Sequence, residues 1–255
     1  MTHRPYKKAR KAPQAPKAKG HGKGPWVQAP GWGDMAPSRQ RAGVIGLTAI
    51  VCTILLVLLE GGMPHYGAKT LLKILLLGLA PFLVLLWQGG VLKLGCRGKD
   101  FLQGRRWAVR TYAFVLFLAL AAAGWVDLDA IRRNLGHGGA LPLWRFLWAG
   151  LVIALLGSLL EEYFFRGFSC QALAADGVPP KSAWLFSAGL FSLYHAAIIG
   201  GWFPPLQLLA AFFVLFGAGL FFGWAARRYG LCAAWLCHGA ANLALLTVGA
   251  VRFYT

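Results

Sequence analysis

The sequence predicts an all-α membrane protein, a polytopic bundle of about seven transmembrane helices. Its 255 residues are 58% hydrophobic and only 13% charged, about half the charged share of a typical soluble domain. Apolar stretches of 18 or more residues recur along the chain, each long enough to cross ~30 Å of hydrocarbon. Open sheets leave edge amides unpaired in a bilayer, and barrel strands are much shorter than these stretches, so the spans must be helices.

The spans follow one another with turn signals between them, and a count from six to eight fits the pattern. Gly177, Pro179 and Pro180 end the fourth span, which is too long for one perpendicular crossing. Pro205 opens the sixth span, and Gly230 separates it from the seventh. The expected spans are approximately 43–60, 71–92, 107–126, 144–175, 181–199, 204–226 and 231–251.

The net charge of +18 is concentrated at the N-terminus, where ten of the 26 Lys and Arg residues precede residue 42. Residues 1–42 have no apolar core, so we expect a basic disordered tail. Such a tail could bind anionic lipid, or it could be a topogenic signal that keeps the N-terminus in the cytoplasm. The second interpretation is favoured, and no specific nucleic-acid partner is expected.

The distribution of Lys and Arg between the predicted loops indicates the orientation of the bundle in the bilayer. Loops on one side of the predicted topology carry most of these residues, and that side is expected to be cytoplasmic. The basic residues placed there, besides the tail, are Lys93, Arg97, Lys99, Arg105, Arg106, Lys181, Arg227 and Arg228.

Two adjacent glutamates stand within the fourth span. The chain contains only three glutamates, and Glu161 and Glu162 follow the apolar run 151–160. A carboxylate inside a membrane helix costs about 2.5–3.5 kcal/mol on insertion scales, so such residues generally face a cavity or a partner. A helix that ended at residue 160 would leave the pair at the membrane interface, but the apolar pattern continues for three further turns. The pair is therefore predicted to be buried.

Helical spacing separates the roles of the two glutamates. Glu162 and Arg166 are spaced i,i+4 and share a face, so an ion pair is predicted between them as structural support. Glu161 lies about 140° around the helix from Arg166. We therefore expect Glu161 to be an unpaired carboxylate and the general base.

Polar residues on two later spans complete the candidate site. His195 lies in the fifth span, and His238 and Asn242 share a face of the seventh. Counted at ~1.5 Å per residue, Glu162 and His195 both lie about 21 Å from the cytoplasmic turn that they share, whereas His238 is only about 10 Å deep. Helix tilt or a deeper turn must remove this mismatch of one to two turns.

These residues form three motifs that resemble those of the CPBP intramembrane proteases, the CAAX protease and bacteriocin-processing family. The motifs are Glu161-Glu162-x-x-x-Arg166, Phe191-x-x-x-His195 and His238-x-x-x-Asn242. The resemblance covers roughly residues 144–250. It implies a type II CAAX prenyl endopeptidase-like domain over 144–251, behind N-terminal transmembrane helices over 43–126. Because the family includes many bacterial members, it also implies an integral protein of the bacterial cell membrane.

The resemblance further implies a role for each residue. Glu161 would activate water for attack on a peptide carbonyl, and His195 would position that water or share its proton. His238 and Asn242 would donate hydrogen bonds to the oxyanion. The implied substrate is a membrane-associated protein or peptide, cut near its C-terminus or just after a membrane segment.

The sequence leaves alternatives open for the cofactor and for the class of function. Glu161, His195 and His238 could hold zinc with an open water position, but there is no HExxH motif, and metal-free chemistry is slightly favoured. The same Glu and His residues could instead form the relay of a proton-coupled transporter. A non-catalytic membrane scaffold is the third alternative.

Overall fold

The computed structural model describes residues 36–60, 66–90, 92, 98–122, 142–201 and 203–254. Residues 1–35, most of the tail that is predicted to be disordered, lie outside the described residues. The described residues form seven helices and contain no strand, which confirms the predicted all-α class. The helices are α1 (Arg39–Glu60), α2 (66–87), α3 (Gly98–Ala122), α4 (Leu143–Ala175), α5 (Pro180–Ile199), α6 (Pro205–Tyr229) and α7 (Leu231–Tyr254).

Six of the helices in the described part of the chain are long and apolar enough to cross a membrane. The exception is α3, whose first half carries Arg105, Arg106 and Arg110. Many large apolar side chains face outward, among them Phe117 and Leu206, as expected for a surface in contact with lipid. The chain is an integral membrane protein with a polytopic helical bundle.

Helix α4 is interrupted by two π-helical segments. Residues Ile153–Gly157 and Tyr163–Ala172 are π-helical, and they flank a short α-helical segment, Ser158–Glu162, that carries both glutamates. A π turn uses more residues than an α turn because its hydrogen bonds run from i to i+5. Glu162 therefore lies closer to the end of α4 than an α-helical rise predicts, which reduces the expected depth mismatch with His238.

The turns between the last four helices follow the predicted signals. Gly177 and Gly230 adopt positive φ angles of 91° and 93°, where a side chain would be strained, and they end α4 and α6. Pro180 and Pro205 occupy the first positions of α5 and α6, where the missing N–H costs no hydrogen bond. Sharp reversals at these points place α4 to α7 side by side.

The beginning of α1 lies against the turn after α4. The guanidinium of Arg41 is 2.8 Å from Oδ1 of the buried Asp176. At the same end of the bundle, the indole of Trp107 near the start of α3 donates to the Tyr229 hydroxyl at the end of α6 (3.3 Å). The start of α1, the turn between α4 and α5 and the end of α6, which carry Arg41, Lys181, Arg227 and Arg228, therefore lie on one side of the bundle.

Helix α7 packs along α3 and α4, and Gly239 of α7 lies close to the backbone of α4. A Cβ atom at Gly239 would lie 2.7 Å from the carbonyl oxygen of Ala154, in the first π-helical segment. This contact permits no side chain without movement of the backbone. It sets the distance between α4 and the neighbouring residue His238.

We expect Gly239→Ala to destabilise the bundle by about 1–3 kcal/mol, since overpacking a close contact forces the backbone apart. The matched control is Gly189→Ala on α5, where a Cβ meets nothing within 4 Å and the better helix propensity of alanine should stabilise slightly. Thermal unfolding in detergent measures both. Equal melting temperatures for the two variants would show that the contact is not tight.

Candidate active site

The two glutamates lie inside the bundle, at the point where α4, α5 and α7 meet. Glu161 is 4% exposed and Glu162 is 1% exposed. Both belong to the short α-helical segment between the π-helical segments. Because successive residues of an α-helix are rotated by about 100°, the two glutamate side chains point in different directions. The prediction of a buried carboxylate pair is confirmed.

Glu162 is held by the arginine that the sequence assigned to it. Arg166 Nη1 lies 3.0 Å from Glu162 Oε1, and both side chains are shielded from solvent. Arg166 Nη2 donates to the carbonyl oxygen of Gly219 (3.1 Å), and its guanidinium stacks 4.3 Å from the centroid of the Phe191 ring. The predicted ion pair is confirmed, and it ties α4 to α5 and α6.

His195 faces Glu161 with one ring nitrogen and its own helix with the other. Its Nε2 is 3.3 Å from Glu161 Oε2, and its Nδ1 is 2.9 Å from the carbonyl oxygen of Phe191. Because a carbonyl only accepts hydrogen bonds, Nδ1 carries a proton and Nε2 is the atom presented to the glutamate. The His195 side chain is 21% exposed, so this edge of the site remains accessible.

His238 is oriented in the same way by the second glutamate. Its Nδ1 lies 2.8 Å from Glu162 Oε1, the oxygen that also pairs with Arg166, and its Nε2 is 3.7 Å from Glu161 Oε2. The ring stacks on Phe222, with an angle of 15° between the planes. Two imidazole Nε2 atoms thus converge on a single carboxylate oxygen.

Asn242 lies one turn beyond His238 on α7 and reaches α4 through a serine. Its Nδ2 donates to Ser158 Oγ at 2.9 Å. Ser158 is buried and lies one turn before the glutamates on α4. The structure therefore brings all six sequence-predicted residues into one cluster, and it adds Ser158 to them.

Residues 143–244 match the family described as type II CAAX prenyl endopeptidase Rce1-like. This segment is similar to that family, and it is called the Rce1-like domain or segment below. The match covers less than half of the chain, yet it includes every residue of the cluster described so far. No curated protein and no solved structure matches the chain.

The site of the Rce1-like domain differs from expectation at Glu161, because this glutamate is not unpaired. Lys73 Nζ, from α2, lies 3.3 Å from Glu161 Oε1. Arg166 pairs with Glu162 as predicted, but Glu161 is paired as well, with a cation from outside the Rce1-like segment. The expectation of an uncompensated Glu161 carboxylate is wrong.

Three donors of the Rce1-like domain are arranged as metal ligands could be. Each of Glu161, His195 and His238 offers one possible ligand atom, and these three atoms lie within 4.8 Å of one another. Both histidines present Nε2 to the common point and donate Nδ1–H to an oxygen, the usual arrangement of metal-ligating imidazoles. Among the described residues, Glu161 Oε2 makes no hydrogen bond of good geometry. The donor set fits one cation, such as zinc, and a metal would supply Lewis-acid activation of a bound water.

Sequence reasoning missed two ionisable residues beside the site, Lys73 and Glu60. Glu60 Oε1 is 3.7 Å from Lys73 Nζ, and Glu60 Oε2 accepts a hydrogen bond from the Tyr194 hydroxyl (3.1 Å). The available signal was that Lys73 interrupts an apolar span and that Glu60 is the third of only three glutamates. An ionisable residue within a membrane helix indicates function or a partner.

Proposed function

We propose that this protein is an intramembrane endopeptidase in which Glu161 activates water for peptide-bond hydrolysis. The observation that carries the proposal is the convergence of the His195 and His238 Nε2 atoms on Glu161 Oε2, at 3.3 and 3.7 Å. Membership of residues 143–244 in an Rce1-like endopeptidase family supports the same reaction class.

In the proposed reaction, Glu161 Oε2 accepts a proton from water as the water oxygen attacks the carbonyl carbon of the scissile peptide. A C–O bond forms and the carbonyl oxygen becomes an oxyanion. Glu161 then returns the proton to the amide nitrogen, the C–N bond breaks, and the products are a carboxylate and an amine. No covalent enzyme intermediate is formed, and the base is regenerated in each cycle.

The two histidines and the asparagine are assigned to positioning the water and binding the oxyanion. His195 Nε2 lies beside the base at the accessible edge, where it can position the attacking water. The protonated form of His238 donates from Nε2 to the oxyanion, with its ring direction fixed by Glu162. Asn242 has a second amide hydrogen besides the one given to Ser158, and this hydrogen can reach the oxyanion. Removal of one such donor typically costs about 3–4 kcal/mol of transition-state stabilisation.

We further propose a membrane-associated protein or peptide as the substrate, cut near its C-terminus. The buried site accepts a segment that enters from the bilayer or its interface at the exposed edge of His195. The bundle over 144–251 would be catalytic, with the helices over 43–126 beside it. We place the N-terminus in the cytoplasm of a bacterial cell, with the basic tail near anionic lipid.

The function is tested with purified protein in liposomes and a library of membrane-tethered peptides, analysed by mass spectrometry for new termini. Cleavage by the natural sequence and none by Glu161→Ala, with equal circular dichroism, supports the proposal. No cleavage by either protein, together with proton-coupled uptake of a solute, would instead support the transporter alternative.

The charges around Glu161 predict that cleavage does not depend on a metal ion. The Lys73 ammonium already compensates Glu161, and a metal cation bound to the same carboxylate would be repelled by it. We therefore expect cleavage to continue at an unchanged rate after treatment with 1,10-phenanthroline, and purified protein to contain no stoichiometric zinc by elemental analysis. Inhibition that added zinc reverses would contradict this expectation and assign the metal to Glu161, His195 and His238.

A further inference from the structure

The active-site cluster extends beyond the Rce1-like segment into the first two helices. Glu60 is the last residue of α1, and Lys73 lies on α2 where its π-helical segment begins. Both precede residue 143, the first residue of the family match. The arrangement of these two side chains is therefore a feature of this chain that the family match does not describe.

The ammonium of Lys73 is enclosed by three acidic or aromatic groups. It lies 3.3 Å from Glu161 Oε1 and 3.7 Å from Glu60 Oε1, and 5.5 Å from the centroid of the Tyr194 ring. The Lys73 side chain is only 15% exposed. A lysine without partners would be costly at this depth, so its two carboxylate contacts determine where the ammonium lies.

Helix α5 also contacts this group of charges, through Tyr194. The Tyr194 hydroxyl donates to Glu60 Oε2 at 3.1 Å, and Tyr194 is fully buried. The next residue, His195, faces Glu161 Oε2. Consecutive residues of α5 thus contact the two ends of one chain of charges that runs from Glu60 through Lys73 to Glu161.

We propose that Lys73 is a positioning residue for the hydrolysis proposed above, on which this inference rests. Its ammonium binds Oε1 of Glu161, so that only Oε2 is left to face the two imidazoles and the attacking water. Glu60 and Tyr194 hold the ammonium in place. The ammonium is already in contact with two carboxylates, so Lys73 is assigned a positioning role and not the role of the base.

The charge balance of the site supports this role. The cluster contains three carboxylates, Glu60, Glu161 and Glu162, and two cations, Lys73 and Arg166. Arg166 is committed to Glu162, so among the described residues Lys73 is the only Lys or Arg in contact with the other two. Without it, Glu161 would share a buried site with two further carboxylates, and repulsion would turn its side chain away from the present position.

The kinetic test compares Lys73→Met and Lys73→Arg with the natural sequence, using a peptide that the natural sequence cleaves. We expect Lys73→Met to lower kcat at least about 100-fold at nearly unchanged KM, the effect of misplacing a catalytic group by about 1 Å. Lys73→Arg keeps the charge and should recover most of kcat. The matched control is Lys69→Met, one turn earlier on α2, which should cleave normally.

A stability measurement tests the contacts without any substrate. We expect Lys73→Met to lower the melting temperature of the natural sequence, because it strands two buried carboxylates. In a Glu60→Gln and Glu161→Gln background the same substitution should leave the melting temperature unchanged or raise it. This arm holds even if no peptide is cleaved.

The outcomes separate the two proposals. If the natural sequence cleaves and Lys73→Met cleaves equally well, the positioning role is wrong while the endopeptidase stands. If Lys73→Met lowers the melting temperature equally in both backgrounds, the ammonium does not pair with these carboxylates, and the inference is wrong whatever the activity. Loss of kcat restored by arginine, with a background-dependent melting temperature, supports it.

Discussion

Glu161→Gln is expected to lower kcat for peptide cleavage by at least about a thousandfold, within the range that a general base contributes. Glutamine fills the same volume but cannot accept the proton of the attacking water. The fold should persist, because Lys73 keeps Glu60 as a partner and Glu162 keeps Arg166. Single-turnover cleavage of a tethered peptide measures the loss, and circular dichroism and the melting temperature report on folding.

The matched control for this substitution is Asp176→Asn, an acid-to-amide change just after the same helix. Asp176 pairs with Arg41 at the end of the bundle and lies outside the catalytic cluster. The Asp176→Asn variant should retain the natural kcat for peptide cleavage even if its melting temperature falls. Substantial cleavage by Glu161→Gln would show that another group activates the water.

Arg166→Ala is expected to have the largest effect on stability. The Arg166 side chain is fully buried, and removing one partner of a buried ion pair typically costs about 3–5 kcal/mol. Glu162 would lose its cationic partner, and the carbonyl oxygen of Gly219 would lose the hydrogen bond from Arg166. Activity should fall as well, because Glu162 also orients His238. Chemical unfolding in detergent gives the stability, and kcat is measured on the folded fraction.

Two further variants make this result specific. Arg145→Ala removes an exposed arginine near the start of the same helix and should change the unfolding free energy by less than about 0.5 kcal/mol. Arg166→Lys keeps a charge but cannot contact both Glu162 and Gly219 with a planar fork, so it should lie between the natural sequence and Arg166→Ala. Normal stability and activity of Arg166→Ala would refute the supporting role.

The fold was predictable because few solutions exist for such an apolar chain. Bilayer thickness sets the length of each helix, and Gly and Pro punctuate the turns, so the predicted 144–175 span agrees closely with Leu143–Ala175. The π-helical segments of α4 were not predicted, because the sequence analysis assumed a uniform α-helical rise. The shorter rise per residue of these segments reduces the predicted difference in depth between Glu162 and His238.

The candidate active-site cluster was predictable where residues share a helix or a motif. The Glu162–Arg166 pair follows from i,i+4 spacing, and His238 and Asn242 share a face for the same reason. The contacts of Lys73 with Glu161, and of Asn242 with Ser158, join residues 88 and 84 positions apart. Only the packing of the helices determines such contacts. The direction of each imidazole likewise depends on the neighbouring acceptor, Phe191 or Glu162.

In the proposed reaction Glu161 and His195 act on one water as a unit, and a double-mutant cycle of these two residues tests this coupling. The single-turnover rate of peptide cleavage is determined for the natural sequence, Glu161→Gln, His195→Ala and the double variant. We predict that the double variant is no slower than the slower of the two single variants, because either substitution disables the same step. Losses that multiply in the double variant would mean that the two residues act independently, and would contradict the account.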